Sequence, residues 1–230
     1  MGDTWIAGLG RIATATAIAA LVFTFSSPHT EAEDIAALPL APPLPMHAGG
    51  TPTTAWKQFC IRLPEECRID PDEPALVTLT PEVWLLLKTT NKRVNVAIRP
   101  KTDREHWGVE DRWNYPDDGY GDCEDFQLLK RRLLIEAGLP RRALRMAVVA
   151  DKEGYGHAVL MVRSDRGDFI LDNSTDAVLA WNETGYRFVK REGSDDLAWV
   201  ALAGDASTPT VVASRSVAKR RAPMVARRER

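Results

Sequence analysis

Cysteine is scarce in this chain: three in 230 residues, at Cys60, Cys67 and Cys123. No Cys-x-x-Cys or His-x-x-x-His spacing occurs, which argues against a zinc centre. An EF-hand loop spacing is also missing. Charge of one sign is lacking too. Thirty Lys and Arg stand against 32 Asp and Glu, a formal net charge of −2, which argues against nucleic acid as the principal partner. The uncharged apolar run from Ile12 to Phe25 falls short of the roughly 20 residues a membrane-spanning helix needs.

What is present suits one folded domain with appendages. Hydrophobic residues make up 44% of the chain and seven are tryptophan, enough for a real core. Arg11 precedes the apolar run, and Thr30-Glu31-Ala32 reads as a cleavage site, so residues 1–32 are expected to be an export signal. An uncleaved N-terminal anchor is the other reading. Either places the folded part outside the cytoplasm, in the periplasm. There Cys60 and Cys67 could pair around a small loop, leaving Cys123 over. A leftover thiol is a buried inert cysteine or a reactive one, and its polar Asp-Cys-Glu setting favours the second.

Residues 33–50, rich in Ala, Pro and Gly, read as a linker to a domain over residues 51–203. A helix is expected from Thr53 to Phe59, and a second after Thr80-Pro81, with threonine as N-cap and proline at N1. Residues 101–121 read as an aromatic loop on the rim of a cleft. Asp122 is a natural N-cap for a helix from Cys123 to Ala137, with Phe126, Leu129, Leu133 and Leu134 buried and Lys130, Arg131 and Arg132 solvated. The period then changes to that of strands: 144–150, 157–163, 168–173, 186–190 and 198–202. Ser164-Asp165-Arg166-Gly167 should join two of them as a tight hairpin. Helices first and a strand meander second make an α+β fold. Residues 204–230 lack a hydrophobic period and read as a basic, disordered tail; attraction to an anionic surface is the alternative.

The chemistry follows from three residues. Cys123 at a helix N-terminus has the positive end of the macrodipole aimed at its sulfur. His157 and Asp172 lie on the two strands joined by the hairpin, where an imidazole could take the thiol proton and a carboxylate could orient it. The backbone N–H of Cys123, or the indole of Trp107 or Trp113, is the candidate oxyanion donor. His106 is the alternative base; His29 and His47 fall near the signal and in the linker. Asp117, Asp118, Asp122, Glu124 and Asp125 oppose a thiolate by their charge. They either cap the helix or hold a hard cation such as calcium.

The sets Trp107-Gly108, Trp113, Gly119 through Phe126 and Lys130-Arg131 resemble the bacterial transglutaminase-like cysteine proteinases. So do Gly156-His157-Ala158-Val159-Leu160 and Leu171-Asp172-Asn173. The resemblance implies a papain-like or transglutaminase-like α+β core, its nucleophile at a helix N-terminus packed against an antiparallel sheet. It implies a Cys123-His157-Asp172 triad acting on a protein substrate through a thioester. For the periplasmic, adhesin-clipping members it implies calcium, with Asp122 and Glu124 as ligands, a surface adhesin as substrate and an inner-membrane regulatory receptor as partner. Acyl transfer to an amine and a non-catalytic calcium-binding module are the alternatives.

Overall fold

The computed structural model describes residues 37–195 and 198–202. The export signal and the basic tail lie outside the described residues. Within them, no helix is long and apolar enough to cross a membrane.

Among the described residues, four helices and nine strands follow in order. They are β1 (His47–Gly50), α1 (Thr54–Arg62), α2 (Pro81–Ala97), β2 (Arg99–Pro100), α3 (Asp103–Trp107), β3 (Tyr120–Gly121) and α4 (Cys123–Glu136). Then come β4 (Leu144–Ala150), β5 (Gly156–Ser164), β6 (Gly167–Leu171), β7 (Leu179–Ala180), β8 (Arg187–Glu192) and β9 (Trp199–Ala201). Seven strands form one antiparallel sheet in the order β1-β9-β8-β4-β5-β6-β7, and β2 and β3 pair separately in parallel. The helices-then-strands expectation holds, with α4 packed on β4 and β5 and against α2.

Local chemistry explains the element starts. The hydroxyls of Thr53 and Thr80 accept from Trp56 N and Val83 N, and Pro81 occupies the first helical position. Helix α3, inside the stretch expected to be loop, opens on a capping box of Thr102 and Glu105. Its Thr-x-x-Glu signature is legible in the chain. The β5–β6 hairpin turns at Gly167, whose φ of 108° is costly for any residue with a Cβ.

Strand β4 is buried along its whole length, because both faces of the sheet are covered. Met146, Val148, Leu160, Val162 and Leu171 face the helices with Trp56, Phe59, Leu87, Leu128 and Trp199. Ala147, Val149, Val159, Met161 and Ile170 face the other way, with Leu44 and Phe188. Leu44 belongs to the stretch expected to be a linker. The described part of that stretch is instead an arm laid on the sheet: Leu38 and Leu44 are buried, Ala41 N donates to Arg166 O at 2.9 Å, and Trp181 Nε1 donates to Pro42 O at 2.7 Å. Proline and alanine composition resembles a linker, but its extended carbonyls serve as acceptors here and two of its leucines, Leu38 and Leu44, as anchors.

A second correction concerns α4. Lys130 and Arg131 are buried, and only Arg132 reaches solvent, its guanidinium 4.0 Å from the Tyr115 ring centroid. Arg131 NH1 donates to both oxygens of Glu192, at 3.1 and 2.9 Å. The same carboxylate accepts Trp56 Nε1 at 2.6 Å and Met146 N at 2.9 Å. One buried anion therefore ties α1, α4, β4 and β8 together. Cys60 and Cys67 are disulfide-bonded, closing the loop that carries Glu66. The carbonyl of Glu66 accepts from Arg141 at 2.7 Å.

Removing one partner of a buried ion pair strands the other charge. Glu192→Ala is expected to destabilise the fold by about 3–5 kcal/mol, measured by urea denaturation of the purified domain. A loss below about 1 kcal/mol, the level of an exposed pair, would contradict the anchoring role.

Candidate active site

Cys123 is the first residue of α4, and Asp122 sits at the N-cap with an extended backbone. The expected side-chain cap is not made. Asp122 Oδ2 accepts Asp103 N at 3.2 Å, so its carboxylate serves α3 rather than its own helix. Gly121 precedes it, and a Cβ there would lie 2.7 Å from the Asp125 Cβ. Only glycine lets β3 approach the helix start this closely.

His157 is the second residue of β5, and Asp172 directly follows β6. The antiparallel register, Leu160 opposite Leu171, brings them side by side. His157 Nε2 lies 2.8 Å from Asp172 Oδ1. The imidazole is also hydrogen-bonded to the Cys123 side chain. The three residues singled out in the sequence thus converge, all of them buried.

Asp172 is held on every side. Oδ1 also accepts Ser174 N at 2.9 Å, and Oδ2 accepts the Tyr186 hydroxyl at 2.6 Å. Its backbone N–H donates to Asn91 Oδ1 at 3.2 Å, and its carbonyl accepts Asn95 Nδ2 at 2.9 Å. Asn91 and Asn95 are one turn apart on α2, whose face therefore clamps the turn after β6. None of these four partners was apparent in the sequence. Asparagine at i and i+4 in an otherwise apolar helical pattern was the available signal.

Burial alone would lower the proton affinity of His157, but the hydrogen bonds to Asp172 and Cys123 outweigh it and raise the pKa to about 10. Burial would raise Asp172, and the bond from His157 overcomes it, bringing the carboxyl down to about 2. Both shifts describe an imidazolium–carboxylate pair. Its stabilising contribution through His157 is complete below the ordinary 6.5 and lost as pH rises through about 10. Through Asp172 it is complete above the ordinary 3.8 and lost as pH falls through about 2.

A cavity of about 20 Å³ opens beside the sulfur and ring, walled by Thr53, Trp113, Val148 and Ala158. Of the two expected oxyanion indoles, Trp107 is not among its walls. It stacks on His106 with centroids 4.0 Å apart and lies under the Arg112 guanidinium. Trp113 does line the cavity, with Asp111 beside it on the same wall. His106 is turned to Asp118, with Nε2 2.7 Å from Oδ2, rather than to the thiol. It is not the base. His47 pairs with Ala201 at the sheet edge, and His29 lies outside the described residues.

Asp122 and Glu124 flank the nucleophile and do not stand alone. Asp103, Asp111 and Glu124 bring carboxylate oxygens within 4.8 Å of one another, as do Asp103, Asp122 and Asp125. Asp103 and Asp111, distant in sequence from the cysteine, were missed in the aromatic loop. Burial, followed by repulsion from Asp122, lifts Asp103 and Asp111 to about 6 and holds Glu124 and Asp125 well above the usual carboxylate range. Asp103 Oδ1, Asp122 Oδ1 and Asp125 Oδ2 are buried without a hydrogen-bond partner among the described residues. Cys123 Sγ lies 3.2 Å from Glu124 Oε2. Crowded, oxygen-rich and partly unsatisfied, the cluster fits a hard dication.

The family model for the bacterial transglutaminase-like cysteine proteinases matches residues 47–207. No curated protein sequence matches the chain. Among solved structures, EGTA-treated Legionella pneumophila LapG aligns at 26% identity and a TM-score of 0.44, over 57% of this chain and 72% of that one. The calcium-bound form of that protein aligns at 22% identity and a TM-score of 0.45, over 70% and 87%. Spanning most of the folded region, the family match shows that this chain belongs to the bacterial transglutaminase-like cysteine proteinases and is a cysteine peptidase.

Proposed function

We propose that the protein is an exported endopeptidase in which Cys123 is the nucleophile, His157 the base and acid, and Asp172 the orienting carboxylate. The observation that carries this is the imidazole of His157 hydrogen-bonded at once to Asp172 and to the side chain of Cys123. The imidazolium of His157 holds the proton taken from the thiol, and the thiolate attacks the scissile carbonyl carbon. The tetrahedral intermediate collapses as the imidazolium protonates the leaving amine, leaving a thioester on Cys123. Water then gives its proton to His157 and attacks the thioester, releasing the acid and the thiol. The N–H of Cys123, at the first position of α4, is the proposed oxyanion donor, and the indole of Trp113 on the cavity wall is the second candidate.

Calcium is the proposed cofactor, supported by the unsatisfied carboxylate cluster rather than by Asp122 and Glu124 alone. Asp103 and Asp111 join them as the residues that would hold it. A bound dication would offset the repulsion among these carboxylates and reduce their opposition to a thiolate next door. Export to an oxidising compartment is supported by the Cys60–Cys67 disulfide. The substrate of a peptidase of this family is a protein. Resemblance to the adhesin-clipping members makes a surface adhesin the substrate to test first, and an inner-membrane receptor the regulator.

Three outcomes are expected. Cys123→Ala and His157→Ala should each remove peptidase activity on a released-adhesin or casein substrate, with circular dichroism unchanged. Asp172→Asn should lower kcat by about 10²–10⁴-fold. Full activity in Cys123→Ala would overturn the assignment. Calorimetry should detect calcium binding that is lost in Asp122→Ala/Glu124→Ala, and EGTA should suppress activity until calcium is restored. No binding heat in the parent protein would rule the cofactor out.

A further inference from the structure

Lys130 is the buried charge that the triad chemistry leaves unexplained. It follows Cys123 by two helical turns and Gln127 by one, so the three share a face of α4. Gln127 Nε2 donates to Asn173 Oδ1 at 3.1 Å, which sets that face against the turn carrying Asp172. The lysine is fully buried, and Nζ has no hydrogen-bond partner among the described residues. Desolvation lowers its pKa to about 7, against the attraction of two carboxylates, Asp172 and Asp176. Both lie on the turn after β6; the α2 side of that turn contributes the neutral Asn91 and Asn95.

A packing role does not account for this residue. Methionine would fill similar space without burying an amine, and no hydrogen bond would be lost with the nitrogen. Nor is Lys130 needed to saturate Asp172, whose two oxygens are taken by His157, Ser174 and Tyr186. What remains is its charge, placed where it acts on the orienting carboxylate through space.

We propose that Lys130 is a positioning residue of the active site, a buried counter-charge behind Asp172 that tempers how tightly the carboxylate keeps the proton on His157. The idea rests on the peptidase reading above. With the ammonium in place, the negative potential at the imidazole is weakened and the proton passes more readily to the leaving amine. Without it, Asp172 holds the imidazolium unopposed and proton delivery slows. Substrate binding should be little affected, because Lys130 is not among the residues that wall the cavity beside the sulfur.

Two measurements on the full-length protein test this. Lys130→Met should lower kcat about tenfold, the effect of one unit of added proton affinity at His157, with KM changed less than about twofold. An unchanged kcat would overturn the proposal. Carbon-13 NMR of the Lys130 Cε, assigned by its loss in Lys130→Met or Lys130→Arg, gives a readout independent of turnover and of how well the methionine variant folds. In Asp172→Asn the lysine midpoint should fall by about one unit or more, as removal of a close opposite charge requires. An unshifted midpoint would show that the two groups do not interact, and the proposal fails. If the wild-type protein cleaves no protein substrate, the peptidase reading fails by itself, and the NMR midpoint still decides whether Lys130 and Asp172 are coupled.

Discussion

The carboxylate of Glu192 is the constraint from which the geometry of the site descends. It accepts from Arg131 on the nucleophile helix, Trp56 on α1 and the backbone of Met146 on the central strand. An apolar contact would let α4 roll or slide on the sheet by an ångström at little cost. A buried ion pair with hydrogen bonds on three elements does not, because each displaced bond leaves a desolvated charge unpaired. Rotation of α4 about its axis is thereby set. With it are set the directions in which Cys123 and Gln127 point, toward β5 and toward the turn after β6.

The same helix accounts for the tension at its N-terminus. Partial positive charge from the first peptide N–H groups is the resource a thiolate uses. Here five carboxylates crowd that end, three of them in the sequence Asp122, Glu124 and Asp125 and two brought in by α3 and the loop after it. Burial prevents water from screening them, so they answer by holding protons, with Asp103 and Asp111 lifted to about 6. Stability alone gives no reason to gather carboxylates in this way. A cation bound there would relieve the repulsion.

Much of this was legible in the chain, for identifiable reasons. The helices beginning at Pro81 and Cys123 carry strong start signals, and the strands carry period-two patterns with glycine or aspartate turns. The Cys123-His157-Asp172 set could be read because the hairpin at Ser164–Gly167 leaves one register for two short strands. What was hidden depends on tertiary partners. Lys130 and Arg131 look like the polar face of an amphipathic helix, and Glu192 and the Glu66 carbonyl, both far away in sequence, make burying the arginine tolerable. The arm bearing Leu38 and Leu44 looks like a linker because its acceptors, not its side chains, do half of its binding. Asp103 and Asp111 lacked any ligand spacing, since the loop between them folds back through the bond from Arg112 N to Asp103.

Charge along α4 is graded, and the grading ties these observations together. Acidic residues occupy the first turn, with Lys130 and Arg131 in the second half, and nearly all of them are buried. On a solvated helix such a pattern would contribute a few tenths of a kcal/mol through the macrodipole and be screened by salt. Inside the protein it is not screened. Each charge must answer to a specific partner: Arg131 to Glu192, Lys130 to Asp172 and Asp176, and the first-turn carboxylates to one another. Cys123 sits where the negative cluster ends and His157 begins. The imidazole is kept charged by Asp172, and the turn that carries this carboxylate is braced from α2, α4 and Tyr186 together.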